Sequence, residues 1–226
     1  MIFEQLFDTK SSTYTYIISS GKGREALIID PVIEHSDEYL KILKNLELKL
    51  VKVIDTHIHA DHISGLKELN QQTNCVTIMG EQSKSEVISI KVKDNEKINI
   101  ENIELTSLYT PGHTDCSYSF FMKDRVFTGD TLLINGTGRT DFQNGSAKDA
   151  YNSIFNKLLK LPEETLLYPA HDYKGEKVST IGKEKKQNPR LQVNSVDEYI
   201  DIMNNLDLKK PDKLETNVSR NIKLGA

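Results

Sequence analysis

The segment Thr56-His57-Ile58-His59-Ala60-Asp61-His62 places four metal-capable side chains, His57, His59, Asp61 and His62, close together. Imidazole and carboxylate accept zinc, iron and manganese alike. Two imidazoles two residues apart on an extended loop can point to one centre. The Asp and His that follow can turn toward an adjacent one, so this short stretch can line two metal positions. A lone histidine reads first as a packed or surface residue. That reading fails here, because five of the 6 histidines stand in motifs of matching kind. Three lie in this segment, His113 lies in Pro111-Gly112-His113-Thr114, and His171 lies in Tyr168-Pro169-Ala170-His171-Asp172. His35, in a polar stretch ahead of a helix, is assigned to solvent. Thr128-Gly129-Asp130-Thr131 adds a carboxylate at a strand end; alone a Gly-Asp pair reads as a turn, but in this order it joins the set.

Elements must exist to present these groups. Tyr14 to Ile18 and Ala26 to Ile29 are β-rich runs around Ser20-Gly21-Lys22-Gly23, which predicts a hairpin. Ser36 can cap a helix carrying Leu40, Leu43 and Leu46, and Val51 to Ile54 is the next short strand. The histidine segment then falls between that strand and a helix marked by Ile63, Leu66 and Leu69, and Val76 to Met79 returns to strand. Ile103 to Leu105, Tyr118 to Met122 and Arg125 to Thr128 predict a meander, and Leu166 to Tyr168 a later strand. Tyr151, Ile154, Phe155, Leu158 and Leu159 share one helix face. Strands interleaved with helices predict an α/β protein of two sheets covered by helices. Residues 1–206 read as one domain. From about Asp207 the chain turns polar, and 207–226 reads as an extended tail laid on the surface or on a partner.

Bulk properties exclude several classes. A chain of 226 residues holds one sizeable domain. The hydrophobic fraction is 37%, and no run approaches the roughly 18 apolar residues of a membrane span. A net charge of −4 supplies no general attraction for a nucleic-acid backbone. The Lys183-Glu184-Lys185-Lys186 cluster reads as a solvated helix face. Met1-Ile2-Phe3-Glu4-Gln5 has neither the basic nor the apolar region of a secretory signal, so a cytoplasmic or organelle-matrix enzyme is expected. Cys75 and Cys116 are far apart and in no paired spacing, which argues against a disulfide framework. Cys116 opens the run Cys116 to Met122 and reads as a buried strand residue rather than a nucleophile.

The ordered set of histidines and carboxylates resembles the metallo-β-lactamase superfamily over essentially the whole chain. That resemblance implies an αββα four-layer sandwich, two mixed β-sheets flanked by helices, with the metal site on loops at one edge. All seven ligand positions of the two-metal hydrolases are present: His57, His59, Asp61, His62, His113, Asp130 and His171. A glyoxalase II-type thioester hydrolase acting on S-lactoylglutathione would use them for two zinc ions that turn a shared water into hydroxide. On the ligands alone hydrolysis is favoured. Three further segments point elsewhere: Gly138-Arg139-Thr140-Asp141-Phe142-Gln143-Asn144-Gly145, Tyr168-Pro169-Ala170-His171-Asp172-Tyr173 and Asn188-Pro189-Arg190-Leu191. With the first histidine segment they resemble the persulfide dioxygenases, the mononuclear iron branch of the superfamily, from about Phe3 to Leu206. The Arg139 to Gln143 stretch discriminates, because the ligands are shared with the hydrolases.

Carried over by position, the resemblance implies one Fe(II) per subunit held by His57, His113 and Asp130, a set that leaves one face open for dioxygen. His59, Asp61, His62 and His171 then orient the ligands and bond to bound species rather than coordinate. Arg139, Tyr173 and Arg190 should border a glutathione pocket, since a guanidinium offers carboxylates a paired-donor fork. A salt bridge between Arg139 and Asp141 and plain packing of the Tyr173 ring are the competing readings. Asp172 is read as fixing the loop that carries His171. The implied reaction oxidises glutathione persulfide with dioxygen to sulfite and glutathione. The hydrolase has one point against it: the chain ends soon after the helix Val196 to Leu206, without room for an added helical substrate domain. A non-enzymatic relative should have lost metal positions, and none is lost. A homodimer is the prior expectation, and a separate sulfurtransferase is the persulfide source considered.

Overall fold

The structure, a computed structural model, describes residues 1–85, 88–209 and 213–223. It divides into two compact units, the first built from 1–92, 97–104 and the C-terminal stretch, the second from 93–96 and 105–209. In the first, β1 (Ile2–Asp8), β2 (Thr13–Ser19) and β3 (Glu25–Ile29) run antiparallel, as the hairpin pattern predicts for the last two. Then α1 (Ser36–Asn45), β4 (Lys49–Ile54), α2 (Leu66–Thr73), β5 (Val76–Gly80) and β6 (Ile90–Val92) continue the sheet in parallel. The order β1-β2-β3-β4-β5-β6 therefore changes from antiparallel to parallel at β3. Helices α1 and α2 supply the crossovers that two adjacent parallel pairs require. Every residue of β2 is buried, which is why its sequence reads as a run rather than an alternation.

Register in this sheet positions the histidine segment. Ile29 at the end of β3 pairs with Ile54 at the end of β4, so Asp30 and Asp55 leave adjacent strand ends. Gly65 then donates its N–H to Pro31 O at 2.7 Å, tying the far end of the segment to the residue after Asp30.

The second sheet has the order β14-β13-β10-β9-β8-β7. Its members are β7 (Lys97–Ile100), β8 (Ile103–Tyr109), β9 (Tyr118–Met122), β10 (Arg125–Gly129), β13 (Leu166–Pro169) and β14 (Ser179–Thr180). The predicted meander is β8-β9-β10. A short ribbon of β11 (Leu132–Leu133) and β12 (Gly136–Thr137) precedes α3 (Ala147–Asn156), and α4 (Ile181–Gln187) and α5 (Val196–Asn204) follow β14. Val126, Leu132, Ile154, Leu158, Leu167, Ile181 and Tyr199 form a common core in this unit. Each such aliphatic or aromatic burial stabilises by about 1.5–3 kcal/mol. Strands β10 and β13 are parallel, with Gly129 opposite Pro169, and Ala170 N–H donates to Gly129 O at 2.9 Å. Asp130 and His171 consequently leave neighbouring strand ends.

Three expectations change, one being the Lys183 to Lys186 cluster read as a solvated face, in which Glu184 is fully buried. Leu214–Ile222, within the stretch read as an extended tail, is a helix, α6. Its buried residues are Asn217 and Asn221, and the partly buried Leu214, Val218 and Ile222, four residues apart, give it an apolar stripe only three residues long. His35 is not left to solvent: its Nε2 lies 3.0 Å from Asp8 Oδ1 and its Nδ1 3.1 Å from Glu38 Oε2. Cys75 and Cys116 are both buried thiols, and neither is in a disulfide. Among the described residues no helix is long and apolar enough to cross a membrane.

Candidate metal centre

The first unit contributes the segment from Asp55 to Gly65, which is almost wholly buried although it is neither helix nor strand. Asp30 organises its start. Asp30 Oδ1 accepts from Thr56 N–H at 2.7 Å, and Oδ2 accepts from the Thr56 hydroxyl at 2.9 Å. With its one proton given to Asp30, the Thr56 hydroxyl oxygen must accept from His57 Nδ1, 3.0 Å away. His57 is thereby fixed with its proton on Nδ1 and its lone pair on Nε2, the nitrogen a metal takes. Asp30 sits in the left-handed region at φ 51°, a conformation that Asp adopts more readily than most residues.

The neighbouring rings meet tilted, one after another: His57 and His59 centroids are 4.2 Å apart at 49°, His59 and His62 4.3 Å apart at 38°. His59 Nε2 donates to Asp30 Oδ1 at 3.2 Å. Burial alone would disfavour the charged imidazolium, but the carboxylates of Asp30 and Asp55 outweigh it and push the His59 pKa up to about 9. His62 Nδ1 donates to Asp61 Oδ2 at 2.9 Å, and Thr13 bonds both. His59, Asp61 and His62 each offer a ligand atom, all within 4.8 Å of one another. Asp55 is fully enclosed; burial, with the Asp30 charge nearby, raises its carboxyl to about 7.

In the second unit His113 Nδ1 donates to Arg139 O at 2.8 Å, which again leaves Nε2 as the nitrogen able to take a metal. That Nε2 lies 3.5 Å from Asp130 Oδ2. Two ligands at about 2.1 Å from one ion stand about 3.0–3.4 Å apart, so this pair fits a shared metal. The other oxygen, Asp130 Oδ1, accepts from His171 Nδ1 at 2.6 Å. His171 thus holds the carboxylate in place through one oxygen while the other faces His113. The buried His57 imidazole of the first unit, and the partly buried His113 imidazole with the oriented Asp130 carboxylate of the second, are each donor types that suit a divalent transition metal.

Close backbone approach makes this geometry rigid. Gly112, before His113, has φ +143°, and a Cβ there would fall 2.3 Å from Ala150 Cα. A Cβ on Gly138 would fall 2.0 Å from Asp130 O. Both glycines of the sequence motifs are therefore steric requirements.

The proposed pocket residues differ among themselves. Arg139 directs Nε and Nη2 onto Asp141 at 2.7 and 2.8 Å, and Nη1 onto Lys209 O at 2.8 Å. The ion pair with Asp141 is thus formed, and it lowers the Asp141 pKa. Arg139 also lines, with Asp141, Met203 and Leu206, a cavity of about 250 Å³. Arg190 is largely buried and donates to Thr137 O; burial lowers its pKa. Tyr173 is 72% exposed, with its ring parallel to that of His171 at 6.1 Å. Asp172 Oδ2 accepts from Lys174 N and Glu176 N at 2.8 and 2.7 Å and so fixes that loop, as read from the sequence. Sequence reasoning missed Asp30, Thr56, Asn217 and Asn221. Only the Asp30-Pro31 break after an apolar strand could have marked the first of them.

Comparison with known proteins gives this arrangement a lineage. The family model of the metallo-beta-lactamase superfamily matches residues 8–171. Mitochondrial persulfide dioxygenase ETHE1 of Mus musculus is 40% identical over 100% of this chain and 89% of its own length. The Homo sapiens protein of the same name is 39% identical over the same shares. The crystal structure of ETHE1 from Myxococcus xanthus superposes with a TM-score of 0.97 at 44% identity, covering 100% of both chains. The chain belongs to the metallo-β-lactamase superfamily and, within it, to the persulfide dioxygenase family.

Proposed function

We propose that the protein is an Fe(II)-dependent persulfide dioxygenase that converts glutathione persulfide, dioxygen and water to sulfite and glutathione. The observation that supports this best is the full-length likeness to persulfide dioxygenases, which includes the segment around Arg139. In this reading His57, His113 and Asp130 hold one iron. Iron held by two imidazoles and one carboxylate would supply the redox chemistry that couples dioxygen to a sulfur anion. The chain's own residues do the rest by position. Thr56 and the Arg139 carbonyl set the tautomers of His57 and His113. His171 steadies Asp130. His59, Asp61 and His62 orient the segment without coordinating. Tyr173 offers an exposed ring beside His171 for the glutathione moiety, and Arg139 and Arg190 border the same pocket as carboxylate anchors. For Arg139 this requires the substrate to compete with Asp141. The enzyme works in a cytoplasm or organelle matrix, as a homodimer, on persulfide supplied by a separate sulfurtransferase.

A two-metal hydrolase of the glyoxalase II type is the second reading, favoured by the close grouping of His59, Asp61 and His62. Purification without oxygen, iron and zinc analysis, and oxygen uptake with glutathione persulfide beside hydrolysis of S-lactoylglutathione separate the two. One iron per chain with persulfide-dependent oxygen uptake is expected. Zinc-dependent hydrolysis without oxygen uptake would sink the dioxygenase. Asp61→Ala should retain most iron, and its loss would make Asp61 a ligand.

A further inference from the structure

The buried segment 55–65 has no ladder of its own, yet buried backbone N–H and C=O groups must find partners. Helix α6 provides several of them. Asn221 Nδ2 donates to His59 O and to His62 O, both at 2.8 Å, and Asn221 Oδ1 accepts from Ser64 N–H at 2.8 Å. Asn217, one turn earlier, donates its Nδ2 to Ala60 O at 3.0 Å. The two side chains together take three carbonyls and one amide of the six-residue stretch 59–64, and both are buried. Both donor hydrogens and the acceptor of the Asn221 amide are in use, a fit that no other side chain of that size reproduces. These contacts come from more than 150 positions away in sequence. Both asparagines lie beyond residues 8–171, the part matched by the superfamily model.

We propose that α6 is a clasp on the metal-binding segment, with Asn221 and Asn217 as positioning residues that hold the loop bearing His57, His59 and His62 in its liganding shape. The clasp sets how tightly metal is retained; it touches neither substrate nor metal. It rests on His57 being a metal ligand, and not on which reaction the metal supports. A loop whose carbonyls lose these partners gains alternative conformations. Because these conformations do not present the histidines together, metal should leave faster.

The test uses the full chain loaded with Fe(II) or with Co(II), whose visible spectrum reports ligand geometry, and follows metal release to a chelator. Asn221→Leu keeps side-chain bulk and removes all three bonds. Release should be about 10- to 100-fold faster, the usual range for losing a group that orients a ligand, and the cobalt spectrum should change. Val218→Ala, on the same helix but without polar groups, is the control: it should lower the unfolding midpoint of the metal-free chain while leaving release unchanged. Should Asn221→Leu not fold, Asn221→Asp retains the acceptor for Ser64 and loses both donors, and Asn217→Leu removes the single bond to Ala60; both should accelerate release. Unchanged release in the asparagine variants overturns the clasp, as does an equal acceleration in Val218→Ala, which would reduce α6 to general stability. A wild-type chain that takes up neither metal would overturn the metal reading and the clasp together.

Discussion

Gly112→Ala is expected to be among the most damaging single-methyl additions in the chain. A Cβ at this position would lie 2.3 Å from Ala150 Cα, 2.4 Å from Ala150 N and 2.5 Å from Ala150 Cβ. Ordinary carbon contacts are about 3.5–4.0 Å, so the backbone before His113 and the first turns of α3 must separate by more than about 1 Å. Overpacking of this kind costs about 1–3 kcal/mol. The backbone adds to this, because φ +143° is a conformation L side chains rarely adopt, at about 1–3 kcal/mol. The sum, about 2–6 kcal/mol, is a large part of the 5–15 kcal/mol that typically holds a domain together. The displacement also lands on His113, whose Nε2 must stay near Asp130 Oδ2. Urea unfolding of the metal-free chain should show the destabilisation, and metal analysis should show reduced iron. Ala150→Gly in the same chain should not restore either, because two of the three clashes are with backbone atoms. A Gly112→Ala protein within 1 kcal/mol of wild type and carrying full iron would refute this steric account, as would full rescue by Ala150→Gly.

Three shorter expectations follow from other sites. Asp8 is largely buried, and although burial alone would raise its pKa, hydrogen bonds from Ser11 and His35 bring it down to about 2. A depressed carboxylate stabilises above its unfolded pKa and loses that contribution as pH falls through its folded one. Asp8→Asn should therefore cost about 2 kcal/mol near neutrality, with the gap to wild type closing between pH 4 and about 2 in denaturant titrations. Glu184 is fully buried and accepts from Ser179 Oγ, Asn135 N and Asn188 Nδ2. Glu184→Ala should cost more than about 3 kcal/mol by thermal or urea unfolding, since several donors lose their acceptor at once. Tyr173→Ala, at an exposed ring, should change stability by less than about 0.5 kcal/mol. Steady-state oxygen uptake should instead show a raised KM for glutathione persulfide, and an unchanged KM would remove Tyr173 from the pocket.

The residue types and their order were enough to mark a metal site, while the reaction rested on the resemblance carried by the segment around Arg139. His57, His59, Asp61, His62, His113, Asp130 and His171 are recognisable because such side chains rarely gather at strand ends for packing alone. Strong local patterns were equally legible: the β2–β3 hairpin, the β8-β9-β10 meander, and the helices whose apolar faces repeat. Other features depend on partners distant in sequence and have no local pattern. Asp30 acts on Thr56 through the parallel register of β3 and β4. Asp130 meets His171 through the pairing of β10 with β13. Helix α6 carries only a short apolar stripe, Leu214, Val218 and Ile222, and its bonds to the loop are made by asparagines. Hydrophobic periodicity detects burial of carbon, whereas a hydrogen bond between remote residues leaves no period in the chain. The sequence by itself thus determined which groups could hold a metal and in what family. Tertiary structure decided what only pairing across distance can set: how Asp30, through Thr56, and the Arg139 carbonyl orient the rings of His57 and His113, which oxygen of Asp130 His171 holds, and which side chains reach the loop.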